Sequence, residues 1–122
     1  MARILFIDDD PAVLALAGAA LTAGSHHVTL AINGRAGVAA YRRETFDLVV
    51  TDLFMPEQDG IETIEQIRKI TRTLPILAIS GSHRGAEYLR AASALGASAT
   101  LEKPFTPDQL IEAVDQLLKA FA

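Results

Sequence analysis

The chain has 122 residues, half of them hydrophobic and 21% charged, with a formal net charge of −4 and no cysteine. That length fits one domain with a real core and is too short for a barrel of eight alternating strands and helices. The acidic balance without a basic cluster argues against nucleic acid or an anionic membrane surface as partner, and the lack of cysteine excludes a disulfide framework and thiolate chemistry.

The first apolar run, "RILFI", reads as a strand from its length and branched residues. It is far too short to span a bilayer, and no basic region followed by a long apolar one marks a leader, so a cytoplasmic protein is expected. The run meets three consecutive carboxylates, Asp8, Asp9 and Asp10. Asp10 precedes Pro11 and suits the N-cap of a helix over residues 11–23, closed by Gly24. Asp8 and Asp9 have no such local role.

The second strand, "HHVTLAI", opens with His26 and His27, expected as solvent-facing strand residues and not as metal ligands, and ends in an ordinary turn at Asn33 and Gly34. A helix over residues 35–43 follows, with Arg42 and Arg43 near its C-terminus, where the helix dipole favours cations. The third strand, "FDLVVT", leads to Asp52. Beyond Met55 and Pro56, which shape the next loop, Asp59 and Gly60 fit a tight turn before a helix over residues 61–72. The fourth strand, "LPILAIS", ends in Ser80 and precedes a helix over residues 84–95, closed by Gly96. The fifth, "SATLEK", ends in Lys103 ahead of a last helix over residues 107–121, and a stand-alone regulator and a piece of a larger protein are both compatible with that end.

Strand followed by helix, five times, predicts an α/β fold: a (βα)5 doubly wound five-stranded parallel sheet with right-handed crossovers. The near-continuous apolar runs agree, because strands covered on both faces need no polar alternation. Ligands in such sheets bind beyond the carboxyl ends of the strands, where strand order reverses. Those ends carry Asp8, Asp9, Asp52, Ser80 and Lys103. Each alone is an ordinary turn or surface residue; on strands that the fold brings together they favour a functional site.

Charge decides what fills that site. Carboxylates about 6 Å apart repel by roughly 3 kcal/mol at an effective dielectric of about 20, so the acids need a cation. Lys103 offsets one charge, and all-oxygen ligands favour Mg²⁺ or Mn²⁺ over zinc for the rest. Such a pocket suits phosphoryl transfer, with Asp52 as nucleophile, Lys103 and a cation neutralising the equatorial oxygens, and Ser80 donating a hydrogen bond to one of them.

The motifs "IDDD", "VVTDLFMPEQDG", "ILAISG" and "LEKPF", in that order and spacing, resemble the receiver (CheY-like) domain of two-component response regulators, with "NGRAGVAAY" similar to the start of the family's second helix. The resemblance spans the chain from the first strand to the last helix, so residues 1–122 are expected to form one receiver domain. It implies the flavodoxin-like strand order 2-1-3-4-5. It also implies that Asp52 is the phospho-acceptor, supplied by a phosphohistidine on a histidine kinase or a histidine phosphotransfer protein. Asp8, Asp9, Asp52 and the backbone carbonyl of Phe54 would hold Mg²⁺, or Mn²⁺. Ser80 takes the family's switch position, Lys103 contacts the phosphate, and the Lys103–Pro104 bond is cis. A downstream output domain or protein is the implied receiver of the signal, and the domain is a switch with no turnover of its own. Family partners commonly use helix one with the loop near Pro104, or the surface of helix four, strand five and helix five, where Tyr88 and Arg84 are candidates, their other and preferred reading being ordinary surface residues.

Two positions depart from the family pattern. Thr100 stands where an aromatic residue often toggles, so the signal is expected to leave through the loop "SGSHRG" after strand four. Phe54 stands where a polar residue is frequent and cannot orient an attacking water; packing at the pocket rim is its other reading. A haloacid-dehalogenase-type phosphatase would need a second Asp at position 54. A flavin binder would need hydroxyls and amides, in place of carboxylates, after strand one. A pocket that had become inactive would be expected to lack one of the acids or the lysine, and all are present.

Overall fold

The structure, a computed structural model, describes residues 1–55, 59–81 and 85–121, with residues 85–89 described by backbone alone. Strands β1 (Arg3–Ile7), β2 (His27–Ala31), β3 (Leu48–Asp52), β4 (Ile76–Gly81) and β5 (Ala99–Lys103) alternate with helices α1 (Pro11–Ala23), α2 (Gly34–Arg43), α3 (Gly60–Ile70), α4 (Gly85–Leu95) and α5 (Pro107–Ala120). All strand pairs are parallel and the order is β2-β1-β3-β4-β5, as the resemblance implies. The order reverses between β1 and β3, so the ends of those two strands face the crevice where such sheets bind ligands.

Side chains alternate across the strands and split the core in two. Leu5, Ile7, Val49, Leu53, Ile76 and Ala78 pack with Ile64 and Ile67 of α3 on one face. Ile4, Phe6, Leu48, Val50, Leu77 and Ile79 pack with Leu14 and Leu21 of α1 and Leu110 and Val114 of α5 on the other. Burial on both faces explains why β1 and β3 read as unbroken apolar runs.

Several local expectations change. Asp10 caps α1 as expected, its Oδ1 accepting the Ala12 N–H at 2.9 Å, a contact of about 1 kcal/mol. At the other end of that helix Gly24 has φ −81°, and Ser25, not the glycine, takes the left-handed turn at φ 69°. Asn33 and Gly34 are not an ordinary turn: Asn33 caps α2 by accepting the Ala36 N–H at 2.8 Å, and Gly34 is its first residue. Arg42 and Arg43 do occupy the last turn of α2.

Asp59 likewise is a helix cap and not a turn residue, accepting the Glu62 N–H at 2.9 Å, and α3 ends at Ile70, earlier than periodicity implied, because Thr71 turns extended. His27 is exposed as expected, but His26 precedes β2 and is not solvent-facing. Its Nδ1 accepts the Ala2 N–H at 3.1 Å, its Nε2 lies 3.5 Å from Asp115 Oδ1, and its side chain is 11% exposed. Pairing with the chain start and with α5 outweighs the polarity that placed it outside.

Candidate functional site

The carboxyl ends of β1, β3, β4 and β5 bring the five sequence-predicted side chains to one edge of the sheet. Asp8, Asp52 and Ser80 are buried, Asp9 is exposed, and Lys103 is partly buried. Carboxylate oxygens of Asp8, Asp9 and Asp52 lie within 4.8 Å of one another. Lys103 reaches both buried acids, its Nζ 2.9 Å from Asp8 Oδ2 and 3.2 Å from Asp52 Oδ2.

Backbone groups fix the acids further. Asp8 Oδ1 accepts the Asp10 N–H at 2.9 Å, so the triplet's first and third members are joined. Asp52 Oδ1 accepts the Phe54 N–H at 3.2 Å. The Lys103–Pro104 peptide is cis, as the resemblance implies. Beside Lys103, Gly81 leaves room for its stem, since a Cβ there would stand 3.3 Å from Lys103 Cβ.

One ammonium does not balance this cluster. Burial, and after it the Asp8 carboxylate, pushes the Asp52 carboxyl up from 3.8 to about 6, against the lowering influence of Lys103 and the Phe54 N–H. For Lys103, burial opposes the charge, but the two carboxylates outweigh it and raise its pKa above the ordinary value. The residues present fit a hard divalent cation: the donors are all oxygen, three carboxylates converge, and the buried Asp52 is held in a state that a second positive charge would relieve. Ser80 Oγ is fully buried and has no hydrogen-bond partner among the described residues, a cost of about 1–3 kcal/mol that an incoming oxygen would remove.

Phe54 is 38% exposed, and its main chain adjoins the site through the N–H held by Asp52. Thr100 is exposed on β5, so no aromatic side chain stands at that position. Pro56, residues 82–84 of the proposed signal loop, Arg84, and the side chain of Tyr88 lie outside the described residues.

Two features escaped sequence reasoning. Gly60, read as turn chemistry, sits against the end of β3: a Cβ on it would come 2.2 Å from the Asp52 carbonyl oxygen and 2.6 Å from Leu53 Cα. Thr51, hidden in a β-branched run, is fully buried and donates its hydroxyl to the Asp52 carbonyl at 3.0 Å. Only the polarity of Thr51 among "LVV" could have flagged it.

Known proteins agree with this geometry. The family model of the response regulator receiver domain matches residues 4–115. The chain is 35% identical over 121 residues to the transcriptional regulatory protein GlrR of Escherichia coli K12, covering 99% of this chain and 27% of that protein. It is 32% identical to the chemotaxis protein CheY of Thermotoga maritima, covering 96% of this chain and 98% of that one. A solved CheY-like receiver domain from Methanospirillum hungatei superposes with a TM-score of 0.93 at 27% identity, covering 99% of this chain and 96% of the other. The chain thus spans about a quarter of the length of GlrR and nearly all of the single-domain relatives. With five parallel strands in the order 2-1-3-4-5 and an acidic cluster at their carboxyl edge, the chain belongs to the receiver domain family of the response regulators.

Proposed function

We propose that residues 1–122 form one receiver domain and that Asp52 accepts a phosphoryl group from a phosphohistidine on a histidine kinase or phosphotransfer protein. The observation that supports this is the charge imbalance at one nucleophile: Asp52 is buried beside Asp8 and Asp9, and one ammonium, Lys103, is shared by Asp8 and Asp52. In the step, an Asp52 oxygen bonds to phosphorus while the P–N bond to the donor imidazole breaks. The electron pair returns to the imidazole nitrogen, which takes up a proton. Lys103, already 3.2 Å from Asp52 Oδ2, neutralises the charge on the transferred group, and the Ser80 hydroxyl, buried without a partner among the described residues, donates to one of its oxygens. Asp8, Asp9, Asp52 and the Phe54 carbonyl would hold Mg²⁺ or Mn²⁺, which supplies electrostatic neutralisation of the phosphoryl oxygens.

A groove of ≈ 610 Å³ adjoins the site, lined by Ala12, Val13 and Leu16 of α1 together with Lys103, Pro104 and Phe105. α1 carries no charged residue along its whole length. A donor protein bringing its phosphohistidine to Asp52 would lay an apolar surface in this groove. The modified domain would act on a downstream output domain or protein in the cytoplasm, as a switch without turnover of its own. No helix among the described residues is long and apolar enough to cross a membrane.

Incubation with phosphoramidate and Mg²⁺ is expected to add one phosphoryl group by intact mass, and Asp52→Asn to take none. Absence of a mass gain in the unmodified chain with the cation present defeats the reading. A second outcome concerns lifetime: Phe54 offers no polar side-chain atom to orient water, so Phe54→Asn is expected to shorten the aspartyl phosphate's half-life, by about tenfold if one positioned hydrogen bond is gained in the transition state. Equal decay of the two proteins would assign Phe54 to packing alone.

A further inference from the structure

We propose that Thr51 is a positioning residue for the phospho-acceptor, holding the Asp52 main chain in the orientation that cation binding and phosphorylation require. The inference rests on the function proposed above and extends it to a residue outside the acidic cluster. Thr51 pairs in register with Ile7 on one side and Ala78 on the other, both fully buried, so its side chain occupies an apolar stretch of the sheet. Valine has nearly the same shape and a good fit to a buried strand, so the packing there does not require a hydroxyl. The hydroxyl is spent on one acceptor, the carbonyl oxygen of Asp52, at 3.0 Å.

That carbonyl is confined from a second direction. The first residue of α3 approaches so closely that a Gly60 Cβ would stand 2.2 Å from the same oxygen, while Gly60 N–H donates to Leu53 O at 3.2 Å. Leu53 N–H in turn donates to Ile79 O of β4 at 2.9 Å. The Asp52–Leu53 peptide is therefore held by the Thr51 hydroxyl, by β4 and by the α3 N-terminus. The next residue is Phe54, whose N–H holds Asp52 Oδ1. A tilt of this peptide plane turns the Asp52 carboxylate and the Phe54 main chain together, and both belong to the proposed site. Removing the hydroxyl frees the tilt without touching a ligand.

The test compares Thr51→Val and Thr51→Ser with the unmodified chain. In the cation-free protein Thr51→Val is expected to shift the Asp52 carbonyl ¹³C resonance. It is also expected to weaken Mg²⁺ binding by calorimetry and slow phosphorylation by phosphoramidate at saturating Mg²⁺, each about fivefold, the fold-change of one ordinary hydrogen bond. Its Tm should fall by no more than the few degrees that one ordinary hydrogen bond accounts for. Thr51→Ser keeps the hydroxyl and loses a methyl, so it should restore Mg²⁺ affinity and rate with a lower Tm. A hydroxyl that only supports the fold gives a different pattern, a lower Tm for Thr51→Val with Mg²⁺ affinity and rate unchanged, and overturns the proposal. Failure of the unmodified chain to bind Mg²⁺ or take phosphate overturns the underlying reading instead, and that result is distinct because it does not depend on the variants.

Discussion

Asp52→Asn is expected to make the cation-free protein more stable at neutral pH, by about 2 kcal/mol, and no more stable than the unmodified chain near pH 4. The carboxyl is raised from 3.8 to about 6, first by burial and then by the Asp8 charge. Folding therefore favours its neutral form. The stability it contributes is fully present below 3.8 and is lost as the pH rises through about 6. A rise of that size corresponds to about 3 kcal/mol, which solvent screening at the open side of the site brings to about 2. Asn mimics the protonated group and keeps no such penalty, so the two denaturation midpoints should separate as pH climbs from 4 to 7. Saturating Mg²⁺ is expected to narrow or reverse the gap, because the cation stabilises the ionised site of the unmodified chain and has one carboxylate fewer in the variant. Parallel stability curves from pH 4 to 7 would show that Lys103 alone balances the cluster.

Gly60→Ala is expected to cost about 3 kcal/mol, the upper range for overpacking, and to lower Tm by roughly 10 °C. The new Cβ meets main-chain atoms, the Asp52 carbonyl oxygen at 2.2 Å and Leu53 Cα at 2.6 Å, which cannot swing aside as a flexible side chain would. Relief requires α3 or the end of β3 to move, and the end of β3 carries Asp52, the proposed phospho-acceptor. The loss in phosphorylation should therefore exceed the fraction unfolded at the assay temperature. Gly18→Ala is the matched control: in α1 a Cβ meets Leu30 Cδ1 at 3.5 Å, an ordinary contact, and helix propensity improves by about 1 kcal/mol. Equal effects of the two substitutions would mean that α3 yields freely against β3.

The five side chains of the site were legible in the sequence for a simple reason. In a parallel sheet, each strand's C-terminal end can be found from where its apolar run stops, and all five ends share one edge. Asp8, Asp9, Asp52, Ser80 and Lys103 were placed together by that rule, and the order of motifs then identified the family. Capping at Asp10 was also local, because it depends on a carboxylate, a following proline and one nearby N–H. His26 was misjudged because its partners, Ala2 and Asp115, are 24 and 89 residues away in the chain and nothing near His26 announces them. Asn33 and Asp59 were misjudged for a different reason: asparagine and aspartate suit turns and helix caps equally, and the backbone that follows decides between them.

The sequence by itself determined the alternation of strands and helices, the residues at the carboxyl edge, and the excess of acid over base there, since each follows from local pattern and composition. The tertiary structure alone decided the division of labour among them. It buries Asp8 and Asp52 while leaving Asp9 exposed, sets one ammonium between two acids, leaves the Ser80 hydroxyl without a partner among the described residues, and presses α3 onto the Asp52 carbonyl where only a glycine fits. Burial, charge balance and close approach depend on groups from different strands and helices meeting at distances of a few ångströms, and those distances exist only once the sheet has closed around them.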